Sequence, residues 1–293
     1  MTAIRKQDQL DGSHTSREFA LSDKQFATIS TLVKSEVGIN LTEAKRDLVY
    51  SRLVKRLRSL RMESFGAYLE LVGSTSGTEE RSELISAITT NVTNFYREPH
   101  HFDHLKSTGI PDMIQRMAAG ESGRIWSAGC SDGREPYTIA CTLLQAVPDV
   151  AGRNVRILAS DVDHKSLAKA KAGQYGTEMV ERMPRDVLDR FFRRNADGAE
   201  AGAEIKALIA FRFLNLLAEW PFKQKFDMIF CRNVLIYFEQ DLQSTLIARF
   251  CSVLKPGGYL YIGHSERVSG SAVASLRQVG VTTYRHEPNG AHQ

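Results

Sequence analysis

Short apolar runs alternate with helical segments from residue 124 to 264, and this alternation restricts the fold more than any other feature of the chain. "RIWSAGC" (124–130) reads as a buried strand, followed by a helix from about Glu135 to Val147. "VRILASDVD" (155–163) reads as a second strand, with a helix over 164–172. "FDMIFCRNVLIYF" (226–238) reads as a third, with a helix over 240–254, and "GGYLYIGH" (257–264) as a fourth. Strands separated by helices predict an α/β fold with a parallel sheet. "TTYRH" (282–286) reads as a final edge strand. Residues 177–212 break the alternation: a helical pattern, then "RRNADGAEAGAE", then "IKALIAFRF" read as a small inserted β subdomain with a turn and short strands.

Upstream, residues 21–95 read as an all-helical domain with its own core. Ser22 and Gln25 fit a capping box, Phe26, Ile29 and Val33 follow at helical spacing, and Gly38 can end the helix. A second helix starts near Thr42 and keeps Val49, Leu53, Leu57 and Leu60 on one face; two more fit 64–72 and 79–89. Residues 96–122 read as a helical linker ending in "AAGESG", and 123–288 as the α/β domain. Residues 1–20 lack an apolar run of signal-peptide length and read as a disordered tail.

Composition excludes several classes. No stretch approaches the roughly 20 apolar residues of a membrane span, so no membrane insertion is expected. Cys130, Cys141, Cys231 and Cys251 form no C-x-x-C pair and sit largely in apolar segments, which predicts reduced, buried thiols in a cytoplasmic protein. The net charge of +4 is unevenly spread: "KRDLVYSRLVKRLRSLR" (45–61) carries a local +6, so the remainder sums to −2. This is a basic patch on a nearly balanced chain.

The candidate chemistry clusters where strands end. "AGCSDGREPY" follows the first strand; Gly129 and Gly133 would let backbone N–H groups approach a ligand beside a helix N-terminus, although a plain tight turn reads equally well. Glu135 opens that helix, either as a dipole-stabilising carboxylate or as partner to a ligand amino group. Asp161 ends the second strand, where an acidic residue accepts hydrogen bonds from ribose hydroxyls; Asp163 is the alternative. Asn233 follows an apolar run and must find partners or face a cleft. Ligands of such sheets bind beyond the carboxyl ends of the strands, so these residues would converge. A nucleoside site without a phosphate cradle suggests S-adenosylmethionine (SAM), and no P-loop string is present. One segment is left over: "TTNVTNFYREPHHF" (89–102) gathers Asn91, Thr93 and Arg97 as a surface facing a polar ligand would.

"TTNVTNFYREPHHF", "WSAGCSDGREPYTIA", "ASDVD", "LNLL" and "FDMIFCRNVLIYF", in this order, resemble the CheR family of chemotaxis receptor methyltransferases over about residues 21–285. The resemblance implies a Rossmann-like SAM-dependent methyltransferase sheet with an N-terminal helical domain and a small inserted β subdomain. It implies transfer of a methyl group from SAM to glutamate side chains of chemoreceptors, giving γ-glutamyl methyl esters. It places Asn91, Thr93 and Arg97 on cofactor-contacting positions, Glu135 on the acidic residue of the glycine loop, and Asp161 on the ribose-binding carboxylate. Asn215, Leu216, Asn233 and Val234 fall on strand-end positions lining the cofactor. The family usually reads Gly-Glu-Glu-Pro-Tyr-Ser where this chain has Arg134 in place of the first glutamate.

A glutamate nucleophile is ionised at neutral pH and needs no general base. The remaining task is alignment, for which Arg97, by charge, and Tyr237, by its hydroxyl, are the catalytic candidates; Tyr237 also reads as a core aromatic. Arg52, Lys55 and Arg56 share one helix face that would steer an acidic receptor bundle, or would simply be solvated. His100 and His104 stand four apart, but no third ligand is placed by spacing, and no metal is expected. The rival readings are a nucleic-acid methyltransferase gripping phosphates with the basic helix, and a non-catalytic SAM-binding regulator. Against the first, the chain has neither an Asn/Asp-Pro-Pro-Tyr/Phe string nor a Pro-Cys nucleophile. A monomer without nucleic-acid partners is expected.

Overall fold

The computed structural model describes residues 18–89 and 91–287. Four helices come first: α1 (Asp23–Val37), α2 (Arg46–Leu60), α3 (Phe65–Gly73) and α4 (Thr78–Ile88). The Ser22–Gln25 capping box forms in both directions, and Gly38 closes α1 in the left-handed region at φ 77°. Val49, Leu53 and Leu57 are fully buried on α2, whereas Leu60 is exposed where the helix ends. Residues 1–17 of the expected 1–20 tail lie outside the described residues. Order begins before residue 21: Glu18 pairs with Arg58, and the Phe19 N–H donates to Tyr50.

The main sheet has seven strands: β1 (Gly123–Ala128), β2 (Val155–Asp161), β6 (Ile209–Phe213), β7 (Phe226–Cys231), β8 (Leu254–Ile262), β9 (Leu276–Gly280) and β10 (Thr283–His286). Their order is β6-β2-β1-β7-β8-β10-β9, parallel as far as β8, with β10 antiparallel to both its neighbours. β3 (Gln174–Gly176), β4 (Phe192–Asn195) and β5 (Gly198–Ala201) form a separate antiparallel sheet in the order β3-β5-β4. The inserted subdomain is therefore real, but "IAFRF" leaves it and becomes β6, the edge of the main sheet beside β2. "TTYRH" is an interior strand; β9 takes the edge instead. The run 226–238 stays a strand only to Cys231, because Asn233 turns at φ 59°.

The remaining helices are α5 (His100–His104), α6 (Ile110–Ala118), α7 (Arg134–Ala146), α8 (His164–Ala172), α9 (Thr177–Val180), α10 (Arg185–Phe191), α11 (Ala203–Leu208) and α12 (Gln240–Val253). A single π turn over Leu105–Gly109 joins α5 to α6. The expected linker is not a spacer: Phe102, Leu105, Ile110 and Met113 are buried against the sheet. Period-2 alternation distributes the strand side chains between two cores. Ile125, Met228, Phe230, Tyr259 and Tyr261 face α5–α7 and the subdomain, while Trp126, Ile229, Cys231, Leu260 and Ile262 face α12 and the N-terminal helices. The helical domain consequently has no separate core. Phe26, Ile29, Val33 and Leu53 belong to the same cluster as Trp126 and Phe250. All the cysteines are buried and free.

Candidate active site

The sheet order reverses between β1 and β7, whose chains leave the sheet in opposite directions along its edge. A crevice is expected beyond the carboxyl ends of strands at such a point. A cleft enclosing about 930 Å³, including its open mouth, lies there. Asn91, Thr93, Arg97, Glu135, Asp161, Asn215, Leu216, Asn233, Val234 and Tyr237 all line it. Residues distributed over almost 150 positions of sequence thus meet in one place. Val162, Leu214 and Phe238 supply apolar wall, joined by Val37 and Ile39 from the end of α1, which no motif had marked.

Local structure explains the arrangement. Gly129 follows β1 at φ 78°, and a Cβ there would stand 2.4 Å from Val234 Cγ2, so only glycine lets Val234 close over the loop. Asp161 Oδ2 accepts from the Ser131 N–H at 2.7 Å, and Oδ1 from the Asp163 N–H at 2.9 Å. Each oxygen keeps acceptor capacity for a hydroxyl pair. Burial raises this carboxyl above its usual range, and the backbone N–H groups pull it back. Asp163, the alternative, faces away from the cleft: it caps α8 and accepts from Ser86, Asn91 and Ser166. Asn91 thereby ties the "TTNVTNFYREPHHF" segment to the start of α8. The Asn215 amide donates to the Glu36 carbonyl at 2.6 Å and so holds the end of α1 at the cleft.

Glu135 is already held in place by protein partners. Its carboxylate accepts from Ser127 Oγ at 2.7 Å and from Arg232 Nη1 at 3.1 Å. Burial raises its pKa, opposed by the Arg232 charge. Arg232 also lies 3.3 Å from Glu98 Oε2 and donates to the Arg97 carbonyl. It therefore links the glycine loop to the backbone of the segment carrying Arg97, whose own guanidinium donates to the Val92 carbonyl. Arg232 went unmarked in the sequence, although an arginine inside "IFCRNV" has to find carboxylates if that run is buried. Arg134, the departure from the family pattern, ion-pairs with Asp132 at 2.8 Å and does not line the cleft.

Glu266 is a second residue that sequence reasoning missed. Its carboxylate is 4% exposed and accepts from the backbone N–H groups of Asn233, Val234, Ile236 and Gly263. The turn carrying Asn233, Val234 and Tyr237 is held by these bonds. The Tyr237 carbonyl accepts from the Asn40 N–H at 2.8 Å, joining the turn to the helical domain.

The basic face of α2 requires correction. Arg52 Nη1 donates to the carbonyls of Ala87, Ile88 and Thr89, satisfying the C-terminus of α4. Arg56 pairs with the buried Glu80 and with Glu83 at 3.0 Å. Lys55 alone of the three is exposed. Charge pattern cannot distinguish a cation facing solvent from one paired within the fold. The histidines are also rearranged. His104 bonds to Tyr261, whereas ligand atoms of Glu98, His100 and His101 lie within 4.8 Å of one another. Arg232 stands 3.3 Å from Glu98 Oε2 and gives this carboxylate a cationic partner within the protein.

Two family models match the chain. "CheR methyltransferase, all-alpha domain" covers residues 24–89, and "CheR methyltransferase, SAM binding domain" covers 91–285. A probable chemotaxis protein methyltransferase of Rhizobium etli is 46% identical over 263 residues, covering 88% of this chain and 98% of that one. The chemotaxis protein methyltransferase of Escherichia coli is 42% identical, covering 85% of this chain and 86% of its own. Chemotaxis protein methyltransferase 2 of Pseudomonas aeruginosa is 40% identical over 92% of this chain and 95% of its own.

Proposed function

This chain belongs to the CheR methyltransferase family, and from that premise we propose that it transfers the methyl group of SAM to glutamate side chains of chemoreceptors, forming γ-glutamyl methyl esters during chemotactic adaptation. SAM supplies an electrophilic methyl on a sulfonium. The observation that carries the reading is the convergence of Asn91, Arg97, Glu135, Asp161, Asn215 and Asn233, from separate motifs, on one cleft at the sheet's reversal point.

Within that cleft we assign Asp161 to the ribose hydroxyls and Glu135 to the amino end of the cofactor. Asn91, Thr93, Asn215, Leu216, Asn233 and Val234 shape its walls. The apolar Val37, Ile39, Val162, Leu214 and Phe238 suit an adenine ring. Arg97 and Tyr237 receive the substrate carboxylate, which is ionised at neutral pH without a base. Their work is to orient the nucleophile and exclude water, an effect that can supply roughly 7–11 kcal/mol. Arg97 is partly solvated, and this suits a carboxylate that loses charge as the ester forms, since tight ground-state binding would slow the transfer. The receptor partner is the helical cytoplasmic domain. Lys55 meets it directly on this reading, whereas Arg52 and Arg56 hold the helical domain together through internal contacts. We place the enzyme in the cytoplasm as a monomer, without a nucleic-acid substrate.

The test uses tritiated SAM, purified protein, and membranes containing chemoreceptors but lacking their native methyltransferase. Base-labile, methanol-releasing label on receptor bands is the expected outcome. SAM binding with no volatile label on any receptor would leave the non-catalytic reading, and label on nucleic acid would replace the receptor reading outright.

A further inference from the structure

The segment Gly263–Glu266 lines no part of the cleft, yet it touches both of the elements that form the cleft's reactive end. Glu266 Oε1 accepts from the Val234 N–H at 2.8 Å and the Ile236 N–H at 3.3 Å. Its Oε2 accepts from Asn233 N–H at 3.1 Å and from Gly263 N–H. A buried carboxylate saturated by backbone N–H groups of two different strand ends fixes them relative to each other. The fit leaves no slack. A Cβ on Gly263 would stand 2.5 Å from Asn233 Nδ2 and 2.7 Å from its backbone nitrogen. Asn233 is held at φ 59°, a conformation asparagine tolerates but does not prefer strongly, so something must select it. The neighbouring His264 completes the arrangement. Its Nδ1 lies 2.9 Å from Glu98 Oε1, and Glu98 follows Arg97 in the chain.

On the reading of the cleft given above, we infer that Glu266 is a positioning residue for methyl transfer: its carboxylate sets the 233–237 turn, and through it places Asn233 and Val234 against the cofactor and Tyr237 against the substrate. Glu266 touches neither ligand. Its effect passes through the backbone, so cofactor affinity and turnover depend on it together. A carboxylate suits this task better than an amide. Four N–H donors converge on two oxygens, and an NH₂ in place of one oxygen would face donors with a donor.

The experiment compares wild type, Glu266→Gln and Glu266→Asp by calorimetric binding of S-adenosylhomocysteine and by tritium transfer to receptor membranes, with thermal unfolding on the same samples. The expected result for Glu266→Gln is a Kd for S-adenosylhomocysteine raised at least about tenfold, and a lowered kcat at saturating SAM, in protein that still unfolds cooperatively. Glu266→Asp, which keeps the charge on a shorter arm, should recover part of both. A role confined to stability would lower Tm but leave the Kd and kcat of the folded protein at wild-type values, and that result overturns the inference. Wild type that binds no S-adenosylhomocysteine would instead defeat the reading of the cleft. If Glu266→Gln does not fold, amide hydrogen exchange on wild type decides. S-adenosylhomocysteine should slow exchange at Asn233, Val234, Ile236 and Gly263 as one set. An unchanged Gly263 amide, which lies outside the cleft, beside slowed amides in the turn would refute the coupling.

Discussion

Arg232 Nη1 donates to Glu135 Oε2 at 3.1 Å, in a contact almost wholly closed to solvent. The guanidinium serves Glu98 and the Arg97 carbonyl as well. The glycine loop, the β7 end and the segment carrying Arg97 therefore share one cation. A buried ion pair of this kind adds little net stability over an apolar core, but removing one partner is costly.

Arg232→Met keeps much of the volume and removes the cation from two largely enclosed carboxylates, Glu98 and Glu135. We expect a loss of roughly 3–5 kcal/mol in urea unfolding, together with weakened SAM binding. Adding Glu135→Gln should return part of that stability, because one stranded charge is removed. A double-mutant cycle with no coupling energy would show that the two side chains do not act as a pair.

The same cluster makes the fold acid-sensitive. Burial, then the charges of Arg232 and His100, push His101 down to about 3, with Glu98 opposing. Its unfolded value is about 6.5. As pH falls through 6.5 the unfolded chain takes up a proton that the folded chain refuses, so stability is lost from there down to about 3. Burial raises the Glu98 carboxyl, but the His264 hydrogen bond and the Arg232 charge outweigh it and hold the group at about 2. Glu98 therefore stabilises the fold above about 4.5 and loses that contribution as pH drops towards 2. Unfolding free energy should fall by about 1.4 kcal/mol per pH unit for each proton of difference. His104, lowered by its own burial, adds to the upper window. Urea titrations between pH 7 and 4.5 should show the slope, and His101→Gln should reduce it by about one proton. An unchanged slope would mean that His101 is protonated in the fold.

Arg97→Ala should leave the fold and the paired network intact, since among the described residues the side chain donates to the Val92 carbonyl near the surface. We expect kcat to fall by a factor of roughly 100 or more if the guanidinium positions the nucleophile. The Kd for S-adenosylhomocysteine should change far less. Near-normal turnover would remove Arg97 from the reaction and leave Tyr237 as the substrate-side group.

These residues also show which parts of the molecule could be read from the chain. Asp161 and Asn233 were legible because each is a polar side chain at the end of an apolar run, where it needs a partner or a cleft, and Asn91 because it sits in a segment too rich in polar and aromatic residues for a plain loop. The parallel strands were legible because burial on both faces leaves a continuous apolar string. β6 and β9 were not, because "IAFRF" and "LRQVG" are half-exposed edge strands that keep charges and a glycine. Arg232 and Glu266 escaped for a different reason. Their partners lie 97 and about 30 residues away, and several of those partners are backbone groups that carry no side-chain signature. The shared core of helical domain and sheet is likewise a tertiary fact: Phe26 and Trp126 look alike in sequence whether or not they join one cluster.

The α2 face gives the clearest separation between charge as counted and charge as used. Arg56→Glu would set a carboxylate against Glu80, which is 8% exposed and also accepts from the Tyr68 hydroxyl at 2.9 Å. A buried like-charge contact replacing a buried pair should cost at least about 3 kcal/mol, seen as a lowered Tm with no specific effect on receptor association in the folded fraction. Lys55→Glu alters an exposed position, and surface substitutions of that kind usually change stability by about 0.5 kcal/mol or less. Its expected effect is kinetic: slower association with receptor membranes at low salt, a shallower dependence on ionic strength, and an unchanged Kd for S-adenosylhomocysteine. Stopped-flow association at two salt concentrations distinguishes the cases. If Lys55→Glu leaves the association rate untouched at low salt, α2 is a solvated and internally paired helix, and the receptor must be steered by another face.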